Sequence, residues 1–256
     1  ENGITERKKL LSVSKASDAQ LRGLKEKDLI VITERMLTRK EIEYEDKFLD
    51  TEPVGFREVH ELNAGQKNAF EAVKNSLDKT SVFLLDGITG SGKTEVYLKC
   101  AGEVLDRGGS VIYLVPEISL TPQTISWIRG RFGDTAAVMH SKLTDRQRYN
   151  EWDRIRRGEA RIVVGPRSSI FAPVLNLKLI IIDEEHDSSY KSESFPRFNT
   201  REIAFMRIKQ SSCPLILGSA TPLVSSYYAA QKGAYKLLKL TKRAAPDATL
   251  PDVEIV

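Results

Sequence analysis

The sequence predicts an α/β domain whose mostly parallel sheet carries helices on both faces, preceded by a small segment of helices and a β-ribbon. Two observations predict the domain. From about residue 62 onwards, short apolar runs alternate with stretches of helical spacing, which is the pattern of parallel strands and crossover helices. One run, Leu179–Ile182, is apolar at every position, as expected of a strand that is covered on both faces.

The bulk composition is that of a soluble globular protein. Of the 256 residues, 41% are hydrophobic and 29% are charged. No apolar run reaches the roughly 18 residues of a membrane span, and no secretory signal is visible, so we expect a cytoplasmic protein. Two cysteines, Cys100 and Cys213, are too few for a disulfide framework or a four-cysteine zinc site. Because the chain begins at Glu1 rather than Met, we expect it to be part of a longer protein.

The first 50 residues predict a partial winged helix. Helical spacing over Thr5–Ser12 and Ser17–Lys27 is followed by two β-rich runs, residues 29–33 and 39–44, that form a hairpin. The unit lacks the first helix of a complete winged helix. It suits DNA binding through its second helix and equally a role as a spacer between proteins, and the sequence does not separate these alternatives.

Capping residues and apolar runs locate the elements of the second region. Thr121, followed by Pro122, and Thr144 are typical helix caps, and these two helices should end near Gly133 and Gly158. Two further helices are predicted over residues 63–77 and 93–105. The predicted strands are Val82–Leu85, Val111–Val115, Ala136–Met139, Ile162–Val164, Leu179–Ile182 and Leu215–Leu217.

A phosphate-binding loop follows the first predicted strand. Residues 87–94 fit the pattern G-x-x-x-x-G-K-[ST] without a gap and open a predicted helix. Glycines let backbone N–H groups turn towards the phosphates of a nucleotide, and the helix directs its positive end at them. Lys93 would neutralise the β- and γ-phosphate oxygens, and Thr94 would give a hydroxyl ligand to Mg²⁺. The candidate nucleotide-binding residues of the loop are Gly87, Thr89, Gly90, Ser91, Gly92, Lys93 and Thr94.

Acidic residues follow the apolar run Leu179–Ile182. Asp183 is placed to hold Mg²⁺, directly or through water, and Glu184 to orient and polarise the attacking water. Lys93, Asp183 and Glu184 are therefore the predicted catalytic residues. Glu185 has no defined role, whereas His186 could link the carboxylates to a later motif.

A third motif, Ser219-Ala220-Thr221, completes a resemblance to a known family. It matches the third signature of superfamily 2 helicases, and the chain resembles the first RecA-like motor lobe of these enzymes. In detail it is similar to the primosomal replication-restart DNA helicases of bacteria. The resemblance covers about residues 62–222 and rests on Asp86–Tyr97, Val115–Gln123, Gly165–Pro173, Asp183–Lys191 and Gly218–Pro222. It implies a partial winged helix over 1–50, a linker over 51–61, a RecA-like lobe over 62–240 and the start of a connection to a second lobe over 241–256.

The resemblance implies further site residues. Gln66 would recognise adenine, although Asn63 and Gln66 also have the spacing of a capping box, and one amide can do both. His186, Ser219 and Thr221 would couple the acidic motif to the third motif. The implied DNA-binding residues are Thr121, Arg167, Ser168, Tyr190, Lys191, Phe195, Arg197 and Phe198.

The last five of these belong to an aromatic and cationic loop that senses single-stranded DNA in the family and couples it to hydrolysis. Aromatics interleaved with cations suit stacking on unpaired bases, but such rings can also pack under the domain. The family commonly has Tyr where Phe198 stands, so no hydroxyl-dependent role is expected there.

The function implied is that of the ATP-binding motor lobe of a 3′-to-5′ DNA helicase that restarts stalled replication forks and initiates primosome assembly. Its cofactors would be ATP and Mg²⁺, with zinc only in the second half, which is not in this chain. Its partners would be single-stranded and forked DNA, primosome proteins and single-strand-binding protein, in the bacterial cytoplasm and not at a membrane. Without a second lobe and its arginine finger, weak ATP turnover is expected. The alternatives are a lobe of a duplex DNA translocase or remodeller of the RecG type and a non-enzymatic primosome scaffold.

Overall fold

The computed structural model describes residues 61–244 and, nearer the N-terminus, residues 10, 14–15, 17–27 and 29–31. The chain divides into two compact units, Glu1–Tyr44 and Glu45–Val256. In the first unit, helix α1 (Asp18–Glu26) begins after Ser17, which forms a capping box with Gln20. Because both side chains satisfy backbone N–H groups at the helix start, the predicted second helix forms where its cap is.

Much of the predicted winged helix lies outside the described residues. The first predicted helix falls largely on residues that are not described, as do the second predicted strand and the linker over 51–60. Residues 29–31, which were predicted to begin the first strand, do not form one. The partial winged helix therefore stays a prediction.

The second unit contains a seven-stranded sheet whose neighbouring strands are all parallel. Two more strands form a separate antiparallel hairpin. The strands are β1 (Ser81–Gly87), β2 (Ser110–Leu114), β3 (Ala136–Val138), β4 (Ile162–Gly165), β5 (Leu177–Ile182), β6 (Lys191–Ser192), β7 (Phe198–Asn199), β8 (Pro214–Ser219) and β9 (Lys236–Leu240). The order in the sheet is β3-β4-β2-β5-β8-β1-β9, and β6 pairs with β7 in the hairpin.

Helices cover both faces of the sheet, as predicted. Along β1, Phe83 and Leu85 point into one apolar core and Leu84 into the other, which is the period of two expected of a strand. The helices are α2 (Ala64–Lys74), α3 (Lys93–Asp106), α4 (Pro122–Phe132), α5 (Asp145–Arg156), α6 (Thr200–Ser211) and α7 (Val224–Gln231). Helices α2, α3 and α4 pack on one face, and α5, α6 and α7 pack on the other. Within the described ranges, no helix has the length and apolar character that crossing a membrane requires.

Every strand predicted in this unit is present, with ends within two residues of the predicted ones. The four predicted helices of this unit are also present. Five elements of this unit, α6, α7, β9 and the hairpin strands β6 and β7, have no counterpart in the sequence analysis. Strand β9, at the sheet edge, is not recognisable as an apolar run because it contains Lys236 and Lys239. Helix α7 has no side-chain cap at its first turn.

Candidate nucleotide and nucleic-acid site

The phosphate-binding loop lies at the carboxyl end of β1, between β8 and β9. Parallel sheets bind ligands at this edge. Gly92 caps α3 with a φ of 79°, a left-handed conformation that favours glycine. A Cβ on Gly92 would overlap the side-chain amide of Gln66, and one on Gly87 would lie 2.7 Å from Ser91 Oγ. Both glycines are therefore required for the backbone to fold this closely.

Two residues hold the loop from outside. Gln66 forms the predicted capping box with Asn63, and its Nε2 also donates to the carbonyl of Ser91 at 2.9 Å. The backbone N–H of Ala244 donates to the carbonyl of Gly90 at 2.8 Å. Because the buried amide of Gln66 serves both the helix start and the loop, it positions the loop whether or not it contacts a base. Adenine recognition by Gln66 stays a prediction.

The residues of the loop fit a nucleotide. Lys93 is buried, and its Nζ donates to the carbonyl of Gly87 at 2.8 Å, so the ammonium is held against the loop. Ser91 Oγ is buried without a hydrogen-bond partner among the described residues. An unpartnered hydroxyl and a buried cation beside an N-terminal helix end are suited to phosphate oxygens. Thr89 and Gly90 are exposed at the mouth of the loop.

Two tyrosines hold the first carboxylate of the acidic motif. Asp183 follows β5, and its carboxylate accepts hydrogen bonds from the hydroxyls of Tyr97 at 3.1 Å and Tyr113 at 3.5 Å. Burial, together with the charge of Glu184, raises the pKa of Asp183 to about 6. A bound cation favours the ionised carboxylate and would therefore lower this pKa. Sequence analysis missed both tyrosines, although Tyr97 lies four residues after Lys93 and therefore shares its helix face.

The backbone of Glu184 adopts a left-handed conformation with a φ of 46°. Such strain in a residue other than glycine is found mainly where function requires it. The N–H of Glu184 donates to Asp183 Oδ1 at 3.0 Å. Its carboxylate is partly exposed and lies 3.5 Å from Nδ1 of His186. The strained turn therefore presents the second carboxylate outwards from the first.

The structure brings the predicted coupling residues together. Nδ1 of His186 lies 2.8 Å from Oγ of Ser219, which also accepts the N–H of Thr221 at 2.9 Å. The strand order explains the contact between His186 and Ser219, because β8 lies next to β5. On its other side β8 pairs with β1, where Ser219 lies opposite Asp86. The acidic motif, the third motif and the phosphate-binding loop thus share one sheet edge.

A Gly218→Ala substitution should destabilise this edge of the sheet. A Cβ on Gly218 would overlap the hydroxyl of Tyr97, which is fully buried and bonded to Asp183. Overpacking of a dense core costs roughly 1–3 kcal/mol, and here the Asp183 contact is lost as well. Gly102→Ala is the matched control, because nothing lies within 4 Å of a Cβ at this helical position. We expect the control to stabilise by about 0.5–1 kcal/mol, and thermal denaturation of both variants measures the difference.

The aromatic segment is a β-hairpin, and its aromatic side chains differ in exposure. Phe195, at the tip, is 97% exposed, and Lys191 and Arg197 are exposed beside it. Phe198 is partly buried and packs edge-to-face on Phe171, with ring centroids 5.0 Å apart. Phe195 is therefore the aromatic side chain of the hairpin that is most available to an unpaired base.

Tyr190 does not lie on the surface where the sequence prediction placed it. It is 2% exposed, and its hydroxyl donates to the carbonyl of Asp183 at 2.7 Å. The predicted contact of this ring with DNA is wrong because the ring packs in the core. The hydroxyl instead ties the start of the hairpin to the acidic motif.

The remaining predicted DNA contacts lie on exposed helix starts and loops. Nη1 of Arg167 donates to the carbonyls of Ser189 at 3.0 Å and Lys191 at 2.8 Å, so part of this guanidinium anchors the hairpin. Ser168 is exposed beside it. Thr121 caps α4 as predicted, accepting the N–H of Thr124 at 3.2 Å. Phosphate binding by Thr121, Arg167 and Ser168 stays a prediction.

Comparison with known proteins defines the class. The profile of the family described as "DEAD/DEAH box helicase" matches residues 63–228, which is more than half of the chain. The chain belongs to the DEAD/DEAH box helicase family, and the predicted RecA-like fold is confirmed. Membership of this family implies that the site uses a nucleotide and Mg²⁺.

Two curated relatives are more specific. The chain is 51% identical over 216 residues to "Replication restart protein PriA" of Bacillus subtilis (strain 168), covering 83% of this chain and 26% of the relative. It is 49% identical over 199 residues to the protein of that name from Treponema pallidum (strain Nichols), covering 78% and 30%. The resemblance to replication-restart helicases is confirmed. The chain spans less than a third of the length of these relatives.

One solved structure bears on the fold alone. "Structure of RecG bound to three-way DNA junction" matches with a TM-score of 0.56 and 23% sequence identity, covering 74% of this chain and 25% of that one. The identity is too low to carry function. The comparisons therefore support a replication-restart helicase better than the RecG-type alternative.

Proposed function

We propose that this chain is the ATP-binding motor lobe of a 3′-to-5′ DNA helicase that restarts stalled replication forks and initiates primosome assembly. The observation that carries the proposal is the meeting of three motifs at one sheet edge. There the buried Lys93 of the phosphate-binding loop, the Asp183–Glu184 turn and Ser219 lie at the ends of neighbouring strands. The names of the curated relatives support the assignment to replication restart.

Each residue has a role that its contacts support. Lys93 binds phosphate oxygens from the base of the loop, and Thr94, the second residue of α3, lies on the same helix start as Asp183's partner Tyr97. Thr94 and Asp183 would hold Mg²⁺, which neutralises phosphate charge when bound. Glu184 accepts the proton of the attacking water. His186 and Ser219 position Glu184 through the contacts of the imidazole with both side chains.

The cofactors and partners follow from the same proposal. ATP is the nucleotide and Mg²⁺ the metal, and zinc is expected outside this chain. Single-stranded and forked DNA are the substrates, and the hairpin presents Phe195 at its tip and the exposed Lys191 and Arg197 to them. Primosome proteins and single-strand-binding protein are the protein partners, and the bacterial cytoplasm is the location.

Strand displacement by the full product of the gene tests this function. The assay uses a labelled forked duplex, with Mg-ATP, and oligonucleotides that block each polarity. We expect ATP-dependent displacement in the 3′-to-5′ direction. Migration of a duplex junction without displacement on such forks would favour the RecG-type alternative. Assembly of other proteins on a fork without any ATP hydrolysis would favour a scaffold.

Replacing Phe195 by Ala should weaken the binding of single-stranded DNA. Base–aromatic stacking contributes roughly 1–3 kcal/mol per base, so the affinity should fall about ten- to a hundredfold. Because Phe195 is 97% exposed, the melting temperature should not change. Fluorescence anisotropy with an oligo-dT and thermal denaturation check both points.

Two other substitutions make the hairpin experiment specific. Tyr149→Ala removes an aromatic ring that is 44% exposed on α5, an element outside the hairpin, and should leave DNA affinity unchanged. Phe198→Ala should lower the melting temperature, because this ring packs on Phe171 and the core. Undiminished DNA binding by Phe195→Ala would show that the hairpin tip is not part of the DNA-binding site.

A further inference from the structure

Glu185, for which the sequence suggests no role, is a buried charge with a complete set of partners. Its side chain is 1% exposed. Oε1 accepts the backbone N–H of Leu223 at 2.8 Å, and Oε2 accepts the hydroxyl of Ser226 at 3.0 Å. Leu223 and Ser226 belong to the first turn of α7, which has no cap of its own. The acidic motif therefore supplies the N-terminal cap of the helix that follows the third motif.

The third side-chain contact of Glu185 comes from the hairpin side. Nη1 of Arg201 lies 3.2 Å from Oε2 of Glu185, and the Arg201 side chain is 17% exposed. Arg201 is the second residue of α6, and β7 of the hairpin ends at Asn199. The side chain of Asn199 accepts the N–H of Arg201 at 3.0 Å. No flexible linker separates the hairpin from this ion pair.

The other strand of the hairpin is fixed as well. Arg167 donates to the carbonyls of Ser189 and Lys191, where β6 begins. Arg207 of α6 donates to the carbonyls of Ile170 and Ala172, which follow Arg167 closely in the chain. Both strands of the hairpin are thus anchored, and only its tip projects. A displacement of the hairpin base must therefore be transmitted to α6.

We propose that Arg201 and Glu185 are a positioning pair that transmits DNA binding at the hairpin to the hydrolytic carboxylate Glu184. The inference rests on the function proposed above. Glu185 adjoins Glu184, and its N–H donates to the carbonyl of Gly218 in β8 at 2.9 Å. A shift of Arg201 acts on a carboxylate that also holds the start of α7. Neither residue touches the reacting atoms.

Burial makes the pair suitable for this role. Removing one partner of a buried ion pair leaves the other charge without compensation, so separating the two side chains is costly. A shift of Arg201 should therefore displace Glu185 as well. Arg presents a planar fork to a carboxylate, whereas Lys offers a point charge of similar reach. Arg201→Lys should therefore retain part of the coupling that Arg201→Met loses.

The test measures the ratio of ATP turnover with saturating oligo-dT to turnover without it, in the full product of the gene. Arg201→Met should lower the ratio about tenfold, within the range known for residues that couple two sites. Arg201→Lys should retain more of it. A purely structural role would lower both rates and leave the ratio unchanged.

The matched control is Arg154→Met. Arg154 and Glu151 form a buried ion pair of 2.6 Å on α5, with side chains 9% and 1% exposed. This pair lies on neither the hairpin nor the acidic motif, so its loss should lower the melting temperature without changing the ratio. A normal ratio in Arg201→Met, or an equal loss of the ratio in Arg154→Met, would overturn the proposal.

A second measurement does not depend on the stability of a variant. Hydrogen exchange at the start of α7, residues 223–227, should change when oligo-dT binds to the unmodified protein. Unchanged exchange there on DNA binding would also overturn the coupling. If the unmodified protein shows no stimulation by DNA, the proposed function itself fails. If stimulation is present and survives in Arg201→Met, only the positioning pair fails.

Discussion

Lys93→Ala should weaken nucleotide binding about 10- to 100-fold, because a hydrogen bond to a charged group contributes roughly 1.5–3 kcal/mol. Turnover should fall further, by about 100- to 1,000-fold, since the developing charge loses a preorganised donor. The physical reason is the position of Lys93, whose Nζ is held 2.8 Å from the carbonyl of Gly87 at the base of the loop. Titration with a fluorescent ATP analogue and steady-state ATPase rates measure the two effects.

Lys99→Ala is the matched control for this experiment. Lys99 lies on the same helix, α3, but is exposed. The control should bind and hydrolyse ATP like the unmodified protein. Unchanged nucleotide affinity and turnover in Lys93→Ala would contradict the assignment of the loop.

Glu184→Gln should bind ATP normally and hydrolyse it about 100- to 10,000-fold more slowly, which is the contribution of a positioned general base. The amide keeps the shape of the side chain, so the strained turn and the contact with His186 persist. An amide cannot accept the proton of the attacking water. Single-turnover hydrolysis and equilibrium ATP binding separate the chemical step from affinity.

Glu159→Gln removes an exposed carboxylate far from the three motifs and should leave both quantities unchanged. Hydrolysis by Glu184→Gln at the parent rate would exclude this carboxylate as the base. Loss of ATP binding in the same variant would instead indicate that Glu184 supports the nucleotide site.

Apolar runs predicted six strands of the sheet because a buried parallel strand is apolar on both faces. Strand Leu177–Ile182 is an example, and the acidic motif follows it as expected. Sequence could not place β9 in the same way, because Lys236 and Lys239 lie in an edge strand whose side chains reach solvent. The central strands and the apolar edge strand β3 were therefore predictable, whereas the charged edge strand β9 was not.

The site was predictable where a motif fixes the spacing of residues along the chain. The phosphate-binding loop and the turn at Asp183 are of this kind. Contacts between distant segments were not predictable, since they depend on the fold. Tyr113 reaches Asp183 from a neighbouring strand, and Ala244 reaches the loop from beyond β9.

The aromatic hairpin shows a third limit. A row of aromatic residues predicts either stacking on bases or packing in a core, and this hairpin contains both. Tyr190 is buried under Asp183, whereas Phe195 is almost fully exposed only five residues later. Exposure decides between the two roles, and it depends on where each side chain lies in the fold and not on residue type.

The most direct measurement is the ATPase rate of the full gene product with and without single-stranded DNA, with Lys93→Ala as the inactive control. A DNA-dependent motor lobe should hydrolyse Mg-ATP slowly alone and at least about tenfold faster with saturating oligo-dT, the size of a typical coupling between two sites. Both rates should fall at least about 100-fold in Lys93→Ala. An ATPase rate that DNA does not change, or hydrolysis at the parent rate in Lys93→Ala, would contradict the proposed function.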